Sequence, residues 1–118
     1  MKTYESLKKN KDFSNVYQKG TSKANRLLVL YALENPQHKS RLGISVSKKV
    51  GNSVVRHHLT RLIRESFRLH EDGFKDGLDL VVIARVNAKE ADFHQLESAL
   101  LHLGSLHHIL KENEMESD

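Results

Sequence analysis

The spacing of hydrophobic residues near the start of the chain predicts a short amphipathic helix. Within residues 10–20, Val16 and Tyr17 follow Phe13 by three and four positions, which places all three on one face of an α-helix. Gly20 comes directly after this pattern and is a residue type that commonly ends helices. We therefore expect a helix that packs its aromatic face against the rest of the domain.

Three further runs have the composition of β-strands. Residues 25–33 are almost wholly apolar and too short for most helices, which favours a strand buried on both faces for part of its length. Residues 41–49 alternate, with apolar side chains on one side and mostly small or polar ones on the other. Residues 78–85 form the third run. The alternation predicts that one side of the second strand faces the core while the other stays open.

Two longer helices complete the predicted pattern. The first begins at Asn52 or Ser53, either of which is a favourable N-cap, and extends to about residue 69. Its apolar sector is formed by Val55, Leu59, Leu62, Ile63 and Leu69, with Phe67 at the edge. The last helix is capped by Asp92, and its buried stripe is formed by Phe93, Leu96, Leu100, Leu103, Leu106 and Leu110. This order of elements predicts an α+β fold, a single-domain α/β sandwich with one sheet face only partly covered.

Length and composition are those of one small domain. The chain has 118 residues, of which 38% are hydrophobic and 29% charged, enough for a single core across residues 1–118. The acidic tail at about 112–118 is expected to be disordered. The chain has no cysteine, which excludes disulfides, thiolate metal sites and a cysteine nucleophile. It has no apolar run typical of a secretory signal or a membrane span, so we expect a cytoplasmic protein.

Charge is divided unequally between the two halves of the chain. Residues 1–68 carry fifteen Lys and Arg against four Asp and Glu, a net charge of +11, whereas residues 69–118 carry a net charge of −7. A basic half of this kind indicates a polyanionic partner. We therefore expect the first half to contact nucleic acid and the acidic half to lie away from it.

The positive charge is most concentrated in the stretch KKVGNSVVRHHLTRLIRE at residues 48–65. On a helical wheel, the face opposite the apolar sector is formed by His57, Arg61, Arg64 and Arg68. The start of the helix adds Lys48, Lys49 and Arg56. Like charges four positions apart destabilise a helix by roughly 0.2–0.5 kcal/mol per pair, so local stability does not explain this arrangement. A solvated face would carry mixed signs, whereas this face is nearly all positive, which favours contact with nucleic-acid phosphates.

A second surface for RNA is expected on the open side of the second predicted strand. Ser45 and Ser47 give that side small hydroxyl groups, and Phe13, Tyr17 and Tyr31 could stack on unpaired bases beside it. For Phe13 and Tyr17 the alternative is packing in the core, and each residue taken alone favours that alternative. Tyr17 is the better candidate contact of the two, because its hydroxyl group tolerates exposure.

Several motifs resemble the protein subunit of bacterial ribonuclease P. Residues 48–65 are similar to the arginine-rich signature of that family, and LKKNKDFSNVYQKGTSKANRLLVLYAL and RLGISVSKKVGNSVVR resemble the segments around it. The likeness extends from about Leu7 to Leu110, with the motifs in the family's order and spacing. It implies a ribosomal protein S5 domain 2-like fold with a left-handed βαβ crossover between the strands near 41–48 and 79–85. Spacing alone would favour a right-handed crossover.

The resemblance also implies a function. The protein subunit joins a catalytic RNA that removes the 5′ leader from precursor tRNA, so the implied partners are these two RNAs, with no DNA or membrane expected. The reaction is endonucleolytic phosphodiester hydrolysis, and its catalytic groups are expected on the RNA rather than on this chain. Mg²⁺ is expected to be held mainly by the catalytic RNA and the substrate, with none bound tightly by the protein.

The implied site residues form two groups. The catalytic-RNA-binding group, completed from the helical wheel, comprises Lys48, Lys49, Arg56, His57, Arg61, Arg64 and Arg68. The leader-binding cleft comprises Phe13, Tyr17, Ser22, Asn25, Arg26, Tyr31, Ser45 and Ser47. The chain departs from the family's pattern at His57 and His58, which replace Asn and a basic residue, and at Thr60, which replaces Lys. At neutral pH these changes remove about two positive charges, because histidine gains its proton near pH 6.5.

Two other functions remain compatible with the residues. One is an RNA-binding protein without a ribozyme partner, of ribosomal or chaperone-like type. The other is a metal-independent nuclease that uses His57 or His58 as a general acid or base. The eight histidines include no HExxH motif and have no matching carboxylate ligands nearby in the sequence, so no metal site is expected on the chain.

Overall fold

The computed structural model describes residues 4–111, in which five strands and three helices are found. The strands are β1 (Glu5–Ser6), β2 (Thr21–Ala24), β3 (Leu28–Glu34), β4 (Arg41–Ser45) and β5 (Leu78–Ala84). The helices are α1 (Asn10–Lys19), α2 (Ser53–His70) and α3 (Phe93–Leu106). Short 3₁₀ turns follow α2 and β5. The acidic tail, whose disorder the sequence predicts, lies outside the described residues.

The strands form one mixed sheet in the order β1-β4-β5-β3-β2. β4 runs parallel to β5, with Arg41 beside Asp79 and Ser45 beside Ile83, whereas β3 is antiparallel to both β5 and β2. α2 connects the parallel strands β4 and β5, as expected for a βαβ unit. The expected small α+β domain is therefore confirmed, and the hand of its crossover stays a prediction.

Helices cover the two faces of the sheet to different extents. On one face, α2 and α3 pack over a large core that includes Leu30 and Val82, both fully buried. On the other face the buried cluster is small and joins Val16 of α1 to Val81 of β5. Because α1 has only ten residues, it covers only part of this face. The prediction of one partly open face is confirmed.

The buried side of α2 follows positions that are four residues apart. Leu59, Ile63 and Phe67 are each 1% exposed, and the Phe67 ring meets the edge of Tyr4 with 5.0 Å between ring centroids. The prediction that Leu69 is buried and Phe67 marginal is wrong, since Leu69 is 53% exposed. Two residues advance a helix by about 200°, so Leu69 points away once Phe67 enters the core.

The last helix begins at the predicted cap and ends before the predicted apolar stripe does. Asp92 and Gln95 form a capping box, in which each backbone N–H donates to the side chain of the other residue, at 2.8 and 2.9 Å. α3 ends at Leu106, which is 40% exposed, so its predicted burial is wrong. The chain then turns through His108, which has a φ of 59°. As a result Leu110 is buried as predicted, but outside the helix.

The two edge strands have no clear signal in the sequence. β1 has only two residues, and β2 exposes all four of its side chains, so neither shows a hydrophobic alternation. β3 begins three residues later than predicted and β4 ends four residues earlier. The early end of β4 has a local cause, because the N–H of Val50 donates to the carbonyl oxygen of Ser47 at 3.0 Å and closes a turn.

Candidate nucleic-acid interface

The exposed side of α2 carries a row of positive side chains, which we call the basic ridge. The basic ridge is formed by His57, Arg61, Arg64 and Arg68. Positive charge continues toward the start of the helix through Arg56, Lys48 and Lys49. All of these side chains are exposed except that of Arg56, which is half-buried. The structure therefore brings the predicted catalytic-RNA-binding residues together on one helix face and the turn that precedes it.

Most of these cations have no acidic partner. Within residues 4–111, no carboxylate oxygen lies within 4.0 Å of the charged nitrogens of Lys48, Lys49, Arg56, Arg61 and Arg64. The first turn of α2 has no acidic residue, although a negative charge there would interact favourably with the helix dipole and stabilise the helix. The helix is capped instead by the neutral side chain of Asn52, which accepts the N–H of Val55 at 3.0 Å. The guanidinium groups thus remain available to an external anion.

Arg56 is restrained by its own helix turn. Its Nε donates to the carbonyl oxygen of Gly51 at 3.2 Å. The hydroxyl of Thr60 donates to the carbonyl oxygen of Arg56 at 2.9 Å. Thr60, which stands where the resembled family has Lys, therefore directs its polar group into the helix backbone. Thr60 therefore contributes no positive charge to this side of α2.

Arg68 differs from the other arginines of the basic ridge because it is paired with Glu65. Its Nε and Nη2 donate to the two oxygens of the Glu65 carboxylate, each at 2.7 Å. The hydrogen bond from Arg68 lowers the pKa of Glu65, and the same contact raises the pKa of Arg68. A phosphate that approaches Arg68 must therefore compete with a carboxylate, which is not the case at Arg61 or Arg64.

The open sheet face holds a group of aromatic residues, which we call the aromatic cleft and define by Phe13, Tyr17, Tyr31 and Ser45. The ring of Tyr17 lies 5.0 Å from that of Tyr31 and 6.4 Å from that of Phe13, measured between centroids. Tyr17 is 39% exposed. Partial burial raises its pKa, and a hydrogen bond with the Ser45 side chain opposes that rise. Phe13, Tyr17 and Ser45 border a cavity of about 350 Å³, and Tyr31 packs against Tyr17 beside it, so the structure brings this part of the predicted cleft together.

A glycine allows the aromatic cleft to form. Phe13 lies over Gly43 of β4, and a Cβ atom at that position would be 2.6 Å from two ring carbons of Phe13. A larger residue would therefore push α1 off the sheet or rotate the Phe13 ring. Ser22 lies next to this group, because β2 pairs it with Tyr31.

A buried ion pair holds α1 beside the sheet. Asp79 is 2% exposed and accepts hydrogen bonds from Arg41 Nε at 2.8 Å and Arg41 Nη2 at 2.6 Å. Asn35 Nδ2 donates to the same carboxylate at 2.8 Å. Arg41 Nη1 lies 3.7 Å from the carboxylate of Asp12 on α1, and the Asp79 contact raises the pKa of Arg41. Sequence reasoning missed this network, although one carboxylate within the apolar run LDLVVIA was an available signal.

The structure does not bring Asn25 and Arg26 into the aromatic cleft. Asn25 Nδ2 donates to the carbonyl oxygen of Ala99 on α3 at 2.9 Å, on the opposite side of the sheet from α1. The Asn25 side chain therefore links the β2–β3 turn to α3. Arg26 lies in the same turn. Ser47 is exposed in the turn after β4, so its predicted place on the strand beside Ser45 is wrong.

Two histidines outside the basic ridge, His70 and His107, make contacts that support the fold. His107 Nε2 donates to the carbonyl oxygen of Leu30 at 2.7 Å, and burial lowers its pKa. His70 Nε2 lies 2.8 Å from a carboxylate oxygen of Glu97, a hydrogen bond that lowers the pKa of Glu97. Among residues 4–111, no three His, Asp or Glu side chains are grouped so that they could hold a metal ion. None of the described helices is long and apolar enough to cross a membrane.

The similarity to known proteins extends along nearly the whole chain. A family model described as Ribonuclease P matches residues 1–107. The ribonuclease P protein component of Lachnoclostridium phytofermentans is 52% identical over 110 residues, which are 93% of this chain and 95% of the relative. The solved RNase P protein of Staphylococcus aureus is similar with a TM-score of 0.84 and 41% identity, over 93% of this chain and 100% of the other. The RNase P protein of Thermotoga maritima gives a TM-score of 0.78 and 33% identity, over 86% and 96%.

Proposed function

The chain belongs to the ribonuclease P protein family. From this we propose that its basic ridge and its aromatic cleft bind different RNAs. As a family member it is the protein subunit of a ribonucleoprotein endonuclease that removes the 5′ leader of precursor tRNA, and its partners are the catalytic RNA and precursor tRNA. The comparisons support this function over that of an RNA-binding protein without a ribozyme partner. The family and function predicted from the sequence are thereby confirmed.

The basic ridge is proposed to bind the catalytic RNA. Arg61 and Arg64 are exposed and have no carboxylate within 4.0 Å among the described residues. A guanidinium group can donate two parallel hydrogen bonds to a phosphate, which suits the closely spaced phosphates of a folded RNA. The same residues repel one another until an anion is bound, so the helix face is better suited to the complex than to the free protein.

The aromatic cleft is proposed to bind the 5′ leader. Tyr17 presents a partly exposed ring beside Tyr31, and stacking on such rings holds unpaired bases with little preference for sequence. The Ser45 side chain can hydrogen-bond within the same cavity. An extended single strand exposes the faces of its bases, unlike a paired helix, and can follow the open side of the sheet. The cleft is thus matched to an unstructured leader.

The reaction itself is proposed to take place on the RNA. Mg²⁺ supplies charge stabilisation and an activated water in phosphodiester hydrolysis, and we propose that the catalytic RNA and the substrate hold most of it. The described residues contain no group of three His, Asp or Glu side chains that could hold a metal ion. The part played by this chain is to position RNA and to neutralise its charge.

The unpaired guanidinium groups of Arg61 and Arg64 are the observation that supports the ridge assignment most directly. We test it by reconstituting the holoenzyme with Arg61→Ala plus Arg64→Ala. With about five phosphate contacts the logarithm of affinity should fall against the logarithm of salt concentration with a slope of roughly −4, and the double variant should reduce that slope by about 2. The measurement is the affinity for the catalytic RNA at several salt concentrations, together with precursor cleavage at low Mg²⁺.

A matched control removes the same charge elsewhere. Lys75→Ala plus Lys111→Ala also removes two exposed cations, but both lie outside the basic ridge and the aromatic cleft. This control should leave the salt slope nearly unchanged. Equal losses in the two double variants would show that net charge, rather than the ridge, determines affinity, and would contradict the proposal.

A further inference from the structure

A groove between the β2–β3 turn and α3 holds Asn25 and Arg26, the two predicted cleft residues that the structure places away from the aromatic cleft. It is bordered by Arg26, Leu27, Gln95, Ser98, Ala99 and His102, and has a volume of about 500 Å³. We propose that this α3 groove receives one unpaired nucleotide of RNA, with the base against its apolar floor and the phosphate beside Arg26. This inference rests on the proposed function, because it adds a third contact to the same ribonucleoprotein.

The floor of the α3 groove suits the flat face of a base. Leu27 and Ala99 are 8% and 9% exposed and provide an apolar surface. Asn25 fixes the wall, because its Oδ1 accepts the N–H groups of Leu27 and Leu28 at 3.2 and 3.0 Å. Since Oδ1 is occupied by two donors, the orientation of the amide is determined. The floor of the groove and the Asn25 side of its wall are therefore fixed by contacts within the fold.

The rim of the α3 groove carries hydrogen-bonding groups, and the donor or acceptor role of two of them follows from their contacts. Asn25 Nδ2 donates to His102 Nδ1 at 3.2 Å, so in the neutral ring the proton of His102 lies on Nε2, which becomes a donor. Gln95 uses its Oε1 to accept the N–H of Asp92 at 2.9 Å, which leaves its amide NH₂ as a donor. The hydroxyl of Ser98 can donate or accept. Unpaired bases are recognised by such groups at their exposed edges.

The charges around the α3 groove favour a phosphate. Among the described residues, no carboxylate oxygen lies within 4.0 Å of the Arg26 guanidinium. Arg85 adds a second cation beneath the turn, where its Nη1 donates to the carbonyl oxygen of Asn25 at 2.7 Å. Asp92 also lines the groove; its Oδ1 accepts the N–H of Gln95 at 2.8 Å as the cap of α3, so the two cations outnumber this one carboxylate.

Topology places the α3 groove at the same end of the sheet as the start of the basic ridge. β4 and β5 are parallel and β3 is antiparallel to them, so the end of β4, the start of α2 and the β2–β3 turn all lie at one end of the sheet. Lys48 and Lys49 lie at this end as well. Along the exposed edge strand β2, Ser22 beside Tyr31 is three residues from Asn25, or about 10 Å. An RNA strand that leaves the aromatic cleft at this end can pass round the edge strand β2 and reach the groove on the opposite face of the sheet.

The first test fills the α3 groove with a long side chain that also adds positive charge. Ser98→Arg should weaken RNA binding by about 5- to 10-fold, the lower end of the effect of losing one stacked base, because the added charge favours phosphate and offsets part of the loss. Gln37→Arg is the matched control, because it adds the same charge at an exposed turn on the other end of the sheet. Affinity is measured for the catalytic RNA, and for holoenzyme with precursor tRNA carrying or lacking its leader.

The pattern of loss identifies the source of the nucleotide. A loss seen only with leader-bearing precursor assigns the groove to the leader, and a loss with the catalytic RNA assigns it to that RNA; either supports the proposal. Unchanged affinities in all three measurements would overturn it. They would leave the function of the subunit intact, provided that the Arg61 and Arg64 double variant still loses affinity for the catalytic RNA.

The second test uses the absence of cysteine from the natural chain. A photoreactive group is attached to Ser98→Cys in the α3 groove, to Ser14→Cys beside the aromatic cleft and to Asp72→Cys at the other end of the sheet, each in its own sample. In the assembled holoenzyme, the groove probe should form crosslinks with an unpaired nucleotide and the Asp72 probe should form few. A groove probe that crosslinks no more than the Asp72 probe, while the Ser14 probe crosslinks well, would refute the proposal.

Discussion

Arg41 and Arg64 show two contrasting uses of the same side chain. Arg41 is half-buried, donates two hydrogen bonds to the buried Asp79 and lies 3.7 Å from Asp12. Arg64 is exposed and has no carboxylate within 4.0 Å among the residues described. The first arginine is satisfied by the fold before any ligand arrives. The second adds repulsion to its own helix, and we propose that an RNA phosphate satisfies it, so the acidic partner distinguishes Arg41 from Arg64.

Arg68 lies between these two cases. It stands on the basic ridge with Arg64, but Glu65 accepts two of its hydrogen bonds. Because both side chains are exposed to water, the pair is weak and a phosphate can displace the carboxylate. Variants that alter the acidic partners should therefore change stability at Arg41 and RNA affinity at Arg68.

The largest effect is expected for Asp79→Ala. The substitution leaves the partly buried Arg41 without its main partner, and should lower the free energy of unfolding by about 3 kcal/mol, at the lower end for a broken buried pair because Arg41 keeps some contact with water. Urea unfolding at neutral pH measures this change. Arg64→Ala is the comparison and should change the free energy of unfolding by less than about 0.5 kcal/mol. Similar losses in both variants would remove the distinction between the two arginines.

A smaller effect is expected for Glu65→Gln, which releases Arg68. The affinity for the catalytic RNA should rise by about 2- to 3-fold, because one more guanidinium group becomes available to phosphate and one negative charge leaves the ridge. Glu34→Gln removes the same charge from an exposed position at the other end of the sheet and serves as the control. If both variants gain affinity equally, the pairing of Arg68 has no local consequence for RNA binding.

The smallest effect concerns the pair between Glu97 and His70. The hydrogen bond from His70 holds the pKa of Glu97 below its ordinary value of 4.5, so the pair contributes stability above that pH and loses it as the pH falls through the lowered pKa. We expect a contribution of less than about 1 kcal/mol, as for other partly exposed pairs. The free energy of unfolding is measured at pH 6 and at a pH below 4.5. Between these two values it should fall less in Glu97→Gln than in the natural chain. In Glu90→Gln, which changes an exposed site, the free energy of unfolding should fall with acid as much as in the natural chain.

Much of the fold can be predicted from the sequence because its signals are local. The apolar spacing of α2 and the cap of α3 at Asp92 depend on neighbours within a few residues, as does the alternation in β4. The edge strands β1 and β2 have no such signal, since they exist by pairing with β4 and β3. The errors at Leu69 and Leu106 have a related cause, because burial at the end of a helix depends on where the neighbouring elements stop.

The same distinction between local signals and long-range contacts applies to the candidate sites. The basic ridge follows from the sequence, because positions three, four and seven residues apart share one face of any α-helix, whatever packs around it. The places of Asn25 and Arg26 beside α3, and the pairing of Arg41 with Asp79 across 38 residues, depend on strand register and helix packing. Local geometry is set by covalent connection and repeats every turn, whereas contacts between distant segments exist only after the sheet and its helices have assembled.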